Sequence, residues 1–308
     1  MERKRLGRRP SFADYVRRHG RRARDSVNRG MVAAARLSRL GHYVVLEYPP
    51  TNRFGLGPRR TGRLHDVIAG GEARFLSALR TIADYEEDLA RIPPHAENSR
   101  VPGWVNGFLP GLDAGAIYAF LRSRDPRTYL EIGSGTSTRF ARRAIEDAGL
   151  RTRIVSIDPS PRNEIDDLCD EVVRQPLELA DRTHFAQLRA GDVIFLDGSH
   201  RVFTGSDATV FFVDLLPELP AGVLVGVHDV YLPDDYPEEI ADRHYSEQYL
   251  LAAYVLAEPA WLRPVLPAAY VSERPELAGQ LDSLWGRPRL RGIETHGVAF
   301  WFEIADRG

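Results

Sequence analysis

The stretch Thr128-Tyr-Leu-Glu-Ile-Gly-Ser-Gly135 narrows the choice of folds more than any other part of the chain. Thr128 to Ile132 supply β-branched, aromatic and apolar side chains for a buried strand, and the two glycines remove side chains where backbone must turn sharply and approach a neighbour closely. Thr136 or Ser137 then offers a cap for a helix from about Thr138 to Ala148. Free amide groups at such a helix start attract polar or anionic ligand groups, although a strand can also bend into a helix through glycines with nothing bound.

The next motif favours the ligand-binding alternative. Thr152–Ile157 reads as a second buried strand ending in Asp158-Pro159. In an open α/β sheet that carboxylate stands beside the first turn, where it can accept hydrogen bonds from two ribose hydroxyls; its other ordinary use is to begin a turn. The glycine turn departs from the dinucleotide pattern G-x-G-x-x-G/A, because Thr138 stands where the third small residue packs helix on strand. Glu131, just before the turn, would repel a pyrophosphate and suits a cationic sulfonium or ammonium group. S-adenosylmethionine has both positive groups and no phosphate.

With Glu131-x-Gly133-x-Gly135, Asp158 and a third strand ending near Gln175 to Glu178, the chain resembles the class I S-adenosylmethionine-dependent methyltransferases over roughly Arg127 to Glu303. The resemblance implies a Rossmann-like seven-stranded α/β sheet with helices on both faces and an antiparallel closing strand. It also implies that Glu131, Gly133, Ser134, Gly135, Ser137, Asp158 and Asp197 hold the cofactor, with the segment after the third strand flanking the adenine.

The succession of elements can be read without that likeness. After Asp158 the pattern predicts a short helix from near Asn163 to Cys169, a strand Glu171–Arg174, a helix near Leu179–Arg189 and the strand Asp192–Asp197. A helix near Ser206–Leu216, the strand Gly222–Asp229, another strand within Trp261–Val271, a helix Glu273–Trp285 and a terminal strand Val298–Glu303 follow. Short apolar strands alternating with helices argue for a parallel sheet covered on both faces. Two regions result: a basic, mainly helical extension and connector over 1–111, and the sheet domain over 112–308.

Asp197-Gly-Ser-His200 and His228-Asp229 each follow a long apolar strand, so both sit at carboxyl ends, where open α/β sheets hold ligands. If the two strands are neighbours, Asp197, His228 and Asp229 converge as metal ligands, and His200 can take a proton. The Asp-Gly-Ser-His segment looks like that of metal-dependent O-methyltransferases acting on sugar hydroxyls of macrolide-type natural products. That likeness implies Asp197 and Asp229 as ligands and His200 as general base, with His228 in the place of an acid. Imidazole suits Mn or Fe better than Mg, so the ion is left open among Mg, Mn and Fe; a metal-free site in which the strand-end groups satisfy one another is the alternative.

Val230–Tyr245 is too acidic and too broken by prolines for core, and it leads into a predicted helix from Ser246 or Glu247 to Ala257. As a lid it would turn His244, Tyr245 and Gln248 toward a substrate, and Glu247 is either a fourth such residue or an ordinary first-turn acid. Upstream, Gly71–Ala90 reads as an amphipathic helix with Phe75, Leu79, Ile82 and Leu89 near one face. Trp104 and Phe108, in the connector Ile92–Gly111, either line an acceptor pocket or pin the connector to the core. Asp113–Arg122 is the helix before the first strand.

A chain of 308 residues, 43% hydrophobic, can bury a full α/β core and carry an extension. The single Cys169 excludes an intrachain disulfide and fits a reducing cytoplasm; no run is long and apolar enough for a membrane span or a secretory signal. The expectation is a cytoplasmic protein with no membrane partner. Net charge is only −2, yet residues 1–63 hold Lys4 and sixteen arginines against Glu2, Asp14, Asp25 and Glu47. Nucleic acid is disfavoured as the partner of this arm, which has few interleaved aromatics; a flexible or partner-packing arm is preferred, and a homo-oligomer through this extension is one form the packing can take. Within it, Met31–Leu40 is a predicted helix, Tyr43–Leu46 an extended piece and Pro49–Gly62 a loop.

These readings converge on methyl transfer from S-adenosylmethionine to a hydroxyl of a small molecule in secondary metabolism. An NAD(P)-type oxidoreductase is the first rival, opposed by Glu131 and Thr138. A non-catalytic nucleic-acid-binding module with a basic arm is the second.

Overall fold

A computed structural model describes residues 62–307 other than Asp242, together with the isolated Gly30. The expectations for the arginine-rich arm, the helix Met31–Leu40, the piece Tyr43–Leu46 and the loop up to Gly62 lie outside the described residues. All that follows concerns the compact unit Arg53–Gly308.

One seven-stranded sheet organises this unit, in the order β3-β2-β1-β4-β5-β7-β6. Its strands are β1 (Thr128–Ile132), β2 (Arg153–Ile157), β3 (Glu171–Val173), β4 (Val193–Leu196), β5 (Leu224–Val227), β6 (Leu262–Pro267) and β7 (Phe300–Ile304). Pairings among β1 to β5 are parallel, whereas β7 runs antiparallel to both β5 and β6. The Rossmann-like seven-stranded sheet expected from the sequence, with its antiparallel closing strand, is therefore present. Ile132 lies opposite Leu196 and Ile157, and Leu196 lies opposite Val227. This register brings the carboxyl ends of β1, β2, β4 and β5 to one level.

The longer helices are α1 (Arg63–Ala69), α2 (Glu72–Ala83), α3 (Gly111–Arg124), α4 (Thr136–Ala148) and α5 (Glu247–Ala257). In α3 every residue from Gly111 to Leu121 is buried, as a helix enclosed between layers requires. It packs on α2 and α4, and its Phe120 ring meets Trp301 of β7 edge-on at 5.1 Å. Trp301 in turn lies 5.5 Å from Phe195 of β4. Gly226, opposite Trp301 in the β5–β7 pairing, makes room for that indole: a Cβ there would come within 2.7 Å of the ring. Ile68, Phe75, Leu79, Ile82, Leu89, Ile92 and Trp104 share one apolar core with the sheet. The segment 63–111, expected as an extension and connector, thus contributes to the same core, and Trp104 is pinned there between Phe140 and Trp285.

Several elements are shorter or more broken than the sequence pattern predicts. Gly71–Ala90 is α2 plus a separate turn Glu86–Leu89, with the break at Tyr85, whose ring packs edge-on against Tyr118 under the Arg122 guanidinium. The helix expected near Leu179–Arg189 is reduced to Thr183–Ala186, started by Asp181 accepting from the Thr183 amide, and that near Asn163–Cys169 to the 3-10 turn Asp166–Leu168. Trp261–Val271 is a strand only to Pro267 and continues as the helical turn Ala268–Ser272. Pro264 and Pro267 lack an N–H, which the outermost strand tolerates, and the pairing shifts register between Pro264 and Leu266. Pro275 and Gly279 divide the expected helix Glu273–Trp285 into three short turns. Ser206–Leu216 is helical, capped by Ser206, but Val210–Leu215 winds as a π-helix.

One fully buried carboxylate ties α3 to β7. Asp113 accepts from the amides of Val298 at 2.7 Å and Ala299 at 3.0 Å. Removing it strands two buried donors of charge-assisted bonds. Asp113→Ala is expected to cost about 2–4 kcal/mol in urea unfolding, and Asp113→Asn, which keeps one acceptor oxygen, about half as much.

Candidate active site

The turn after β1 is closed by its own backbone. Gly133 has φ 77°, and a Cβ on it would lie 1.9 Å from the Asp197 carbonyl oxygen, so neither the conformation nor the space admits a side chain. The Gly133 amide donates to Ile157 O at 3.0 Å, that of Ser134 to Asp158 Oδ2 at 2.9 Å, and that of Gly135 to Thr138 Oγ1 at 3.0 Å. Helix α4 begins at Thr136 with Gly135 as its cap, one residue before the predicted caps. The first amides of this turn are thus engaged internally, not free for a ligand.

Glu131 lies beneath the turn and does not line the cavity described below, contrary to its expected place beside a cationic ligand. Thr138 Oγ1 donates to one carboxylate oxygen and Tyr129 OH to the other, the latter at 3.0 Å. Burial raises its pKa to about 7 despite hydrogen bonds from Ser137, Thr138 and Tyr129 that pull the other way. Asp158 stands at the carboxyl end of β2 and does face the cavity; its Oδ1 accepts from the Ser160 amide at 2.8 Å.

A cavity of about 930 Å³ opens along these strand ends. One half is bordered by Gly133 to Ser137, Asp158 and Pro176 to Glu178, the other by His200, Tyr231, Arg243, Tyr245 and His296. Phe108 reaches it as an exposed ring, so it, unlike Trp104, lines the opening.

Between the halves lies a cluster of carboxylates and imidazoles. His200, 5% exposed, places Nε2 at 3.2 Å from Asp197 Oδ1 and 3.5 Å from Asp229 Oδ2, while Nδ1 is 2.5 Å from Glu247 Oε1. Glu247 is completely buried, and its other oxygen has no partner among the described residues. His228, also buried, has Nδ1 at 3.5 Å from Asp197 and Nε2 at 3.5 Å from Asp113, with neither nitrogen in a hydrogen bond. Burial works against protonation of both rings, but the carboxylates outweigh it and hold both pKa values well above the usual imidazole range. Asp197 shows the converse: burial raises it, and His228 and His200 together hold it well below the usual carboxylate range. His200 and Asp229 have φ of 61° and 54°, a conformation costly for residues with a Cβ and concentrated at functional sites.

Among the described residues, the side-chain atoms close enough together to hold a metal ion, all within 4.8 Å of one another, belong to Asp197, His200 and Asp229. His228, expected in that set, flanks it instead. Of the three expected substrate residues, Tyr245 lines the cavity, with its ring 4.3 Å from that of His200. His244 is exposed and outside the lining. Gln248 is buried away from the cavity and holds the lid, accepting from the Tyr231 amide at 2.9 Å. Sequence reasoning left Glu247 undecided and missed Asp113, Arg201 and Arg243. An acid in the first turn of a helix gives no hint that the turn docks on an imidazole 47 residues away.

Residues 130–230 match the family model described as a methyltransferase domain. This stretch is a methyltransferase domain. It contains the glycine turn, Asp158, Asp197, His200, His228 and Asp229, whereas the lid residues Arg243, Tyr245 and Glu247 lie beyond it. No curated protein matches the chain. Solved structures similar to it include the O-methyltransferase from Bacillus cereus in complex with SAH, at 16% identity, covering 75% of this chain and 91% of that one, TM-score 0.39. The SAH-bound Podospora anserina methyltransferase PaMTH1 has 18% identity, covers 63% and 78%, and gives a TM-score of 0.32. The O-methyltransferase TomG from Streptomyces achromogenes, involved in tomaymycin synthesis and bound to SAM, has 15% identity, 62% and 78% coverage, and a TM-score of 0.34. Among the described residues no helix is long and apolar enough to cross a membrane.

Two outcomes follow for the methyltransferase domain. Gly133→Ala is expected to destabilise it by more than about 2 kcal/mol, combining left-handed strain with overpacking; Gly135→Ala, whose added Cβ would meet only the Asn163 side-chain amide at 3.3 Å, costs less. Glu131 binds a proton in the fold at pH values where the unfolded chain, with its ordinary value near 4.5, has released it. Its contribution is present below pH 4.5 and lost as pH rises to about 7, a change of roughly 3 kcal/mol. Denaturant titrations across that window should show this slope in the wild type and its loss in Glu131→Gln.

Proposed function

We propose that the protein is an S-adenosylmethionine-dependent methyltransferase acting on a hydroxyl of a small molecule, with His200 as general base. The observation that carries this reading is the position of His200: Nδ1 is held by buried Glu247, and the ring borders the cavity between the Asp158 half and the Tyr245 half. Asp158 is placed to accept from ribose hydroxyls, the turn Gly133 to Ser137 to border the methionine part, and Pro176 to Glu178 to flank the adenine. When bound, the donor supplies a methyl group on a positively charged sulfur. His200 Nε2 takes the hydroxyl proton as the oxygen–carbon bond forms and the carbon–sulfur bond breaks, leaving neutral S-adenosylhomocysteine. Glu247 fixes the imidazole orientation and stabilises the charge it gains. The walls around the acceptor contribute by alignment. Likeness of the Asp197 to His200 segment to enzymes of natural-product biosynthesis supports the acceptor class.

Two carboxylates and an imidazole suit an ion of the Mn or Fe type better than Mg. Asp197, His200 and Asp229 would hold it, and it would supply positive charge that acidifies the hydroxyl. His200 would then be a ligand, so metal content separates the two roles.

Calorimetry with S-adenosylhomocysteine tests the cofactor: binding to the wild type, weakened about tenfold or more by Asp158→Ala, is expected, and stabilisation by NAD(H) instead would sink the reading. His200→Ala should lower kcat about 10²–10⁴-fold while leaving S-adenosylhomocysteine affinity unchanged. Because its neighbours keep His200 protonated, kcat/KM should rise with pH above the ordinary imidazole range in metal-free enzyme. Chelator-sensitive turnover with stoichiometric bound metal would move the proton transfer away from His200.

A further inference from the structure

The acceptor half of the cavity is built with a polarity that neither the glycine turn nor His200 requires. Past His200 the lining continues through Tyr231 and Tyr245 to Arg201 and Arg243. The Tyr245 ring is packed on the His200 ring on one side, and the Arg201 and Arg243 guanidinium carbons stand 5.6 Å and 5.8 Å from its centroid. Arg201 Nε donates to the Arg243 carbonyl oxygen at 2.8 Å, and Arg243 donates to Tyr245 OH at 3.1 Å, so the two cations and the phenol are fastened together. Among the described residues neither arginine has a carboxylate partner, whereas Arg122, Arg124, Arg142 and Arg287 all do.

We propose that the acceptor carries an oxyanion, a carboxylate or a phosphate, which Arg201 and Arg243 receive one aromatic ring away from His200. The inference rests on the methyl-transfer reading above. A guanidinium pairs with planar or tetrahedral oxyanions through two parallel donors, and Arg243 and Arg201 keep donors unspent on backbone. The opposite end of the cavity half reinforces the choice. Asp197 and Asp229 repel an acid from the reacting centre, so an acceptor bearing one enters with its acid toward the arginines and its hydroxyl toward His200. Tyr231 and Tyr245 supply flat walls between the two ends.

The test uses the full chain saturated with S-adenosylhomocysteine and titrated calorimetrically with 3,4-dihydroxybenzoate, its neutral isostere 3,4-dihydroxybenzamide, and phenyl phosphate. At least one acid is expected to bind about tenfold or more tighter than the amide, the stronger of the two identifying the oxyanion. That preference should vanish in Arg243→Gln and in the double variant with Arg201→Gln, and it should reverse in favour of the amide in Arg243→Glu. Unchanged S-adenosylhomocysteine affinity in each variant reports an intact fold. Equal binding of acid and amide, binding of no probe, or an acid preference that survives both substitutions overturns the proposal while leaving methyl transfer standing. Failure of the wild type to bind S-adenosylhomocysteine overturns the methyl-transfer reading, and this inference with it.

Discussion

Ile132, Leu196 and Val227 stand side by side in three parallel strands, and every feature of the site depends on that register. It makes the chain leave the sheet three times at one level, through Gly133, Asp197 and His228. The closeness is measured by Gly133, where even a methyl group would run into the Asp197 carbonyl. Because side chains alternate along a strand, a slip of one residue in β4 or β5 would turn Asp197 or His228 to the other face and leave the glycine turn facing apolar groups. Asp113 guards the same register from outside, since its bonds to the amides of Val298 and Ala299 set how β7 enters beside β5.

Into the gap so formed the fold gathers the carboxylates of Asp113, Asp197, Asp229 and Glu247 around the rings of His200 and His228. Isolated, each buried charge would be prohibitively costly; arranged together, the carboxylates hold the protons on both imidazoles, and the two rings hold Asp197 ionised, whereas burial pushes the Glu247 carboxyl up. The balance is uneven. Asp113 gives both oxygens to backbone amides, which leaves His228 near a carboxylate but without a hydrogen bond, and Glu247 leaves one oxygen bare. Unsatisfied groups of this kind inside a packed domain are rare; here His228 borders the cavity, and Glu247, outside its lining, is bonded to His200, which does border it. Left-handed backbone at His200 and Asp229 adds strain at the same place, and at His200 it is held by the amides of Ser246 and Glu247, which both donate to its carbonyl oxygen.

Much of this was legible in the sequence, because β1, β2, β4 and β5 are apolar runs followed by Gly133, Asp158, Asp197 and His228-Asp229, and their alternation with helical segments argues for a parallel sheet. Asp158, Asp197 and Asp229 could be placed at the carboxyl edge because each follows closely on a strand, and His200 because it stands three residues beyond Asp197; all four line the cavity. What the sequence hid lies off that pattern. Glu247 opens a helix that docks from 47 residues away, and Asp113 reads as an ordinary first-turn acid until β7 is seen beside it. The helix break at Tyr85 shows tertiary packing overriding a periodicity that local pattern extends, whereas Pro275 and Gly279 are local breakers that outweigh the apolar spacing around them. Arg201 and Arg243 are invisible as a pair in a chain so rich in arginine, since only the fold brings them to one tyrosine.

Two carboxylates flank the glycine turn, and only Asp158 faces the cavity as its spacing suggests. Glu131, expected to select a cation by its charge, is sealed under the turn and carries that charge only partly near neutral pH, since burial has pushed its pKa to about 7. Its work is to anchor Thr138, which in turn accepts from the Gly135 amide. Asp158 accepts from Ser134, and Ile157 from Gly133, so three successive amides are consumed inside the protein. Phosphate-binding turns depend on such amides remaining free to point at oxyanions. In this turn those three donors are already spent, and Asp158 is the carboxylate that faces the cavity.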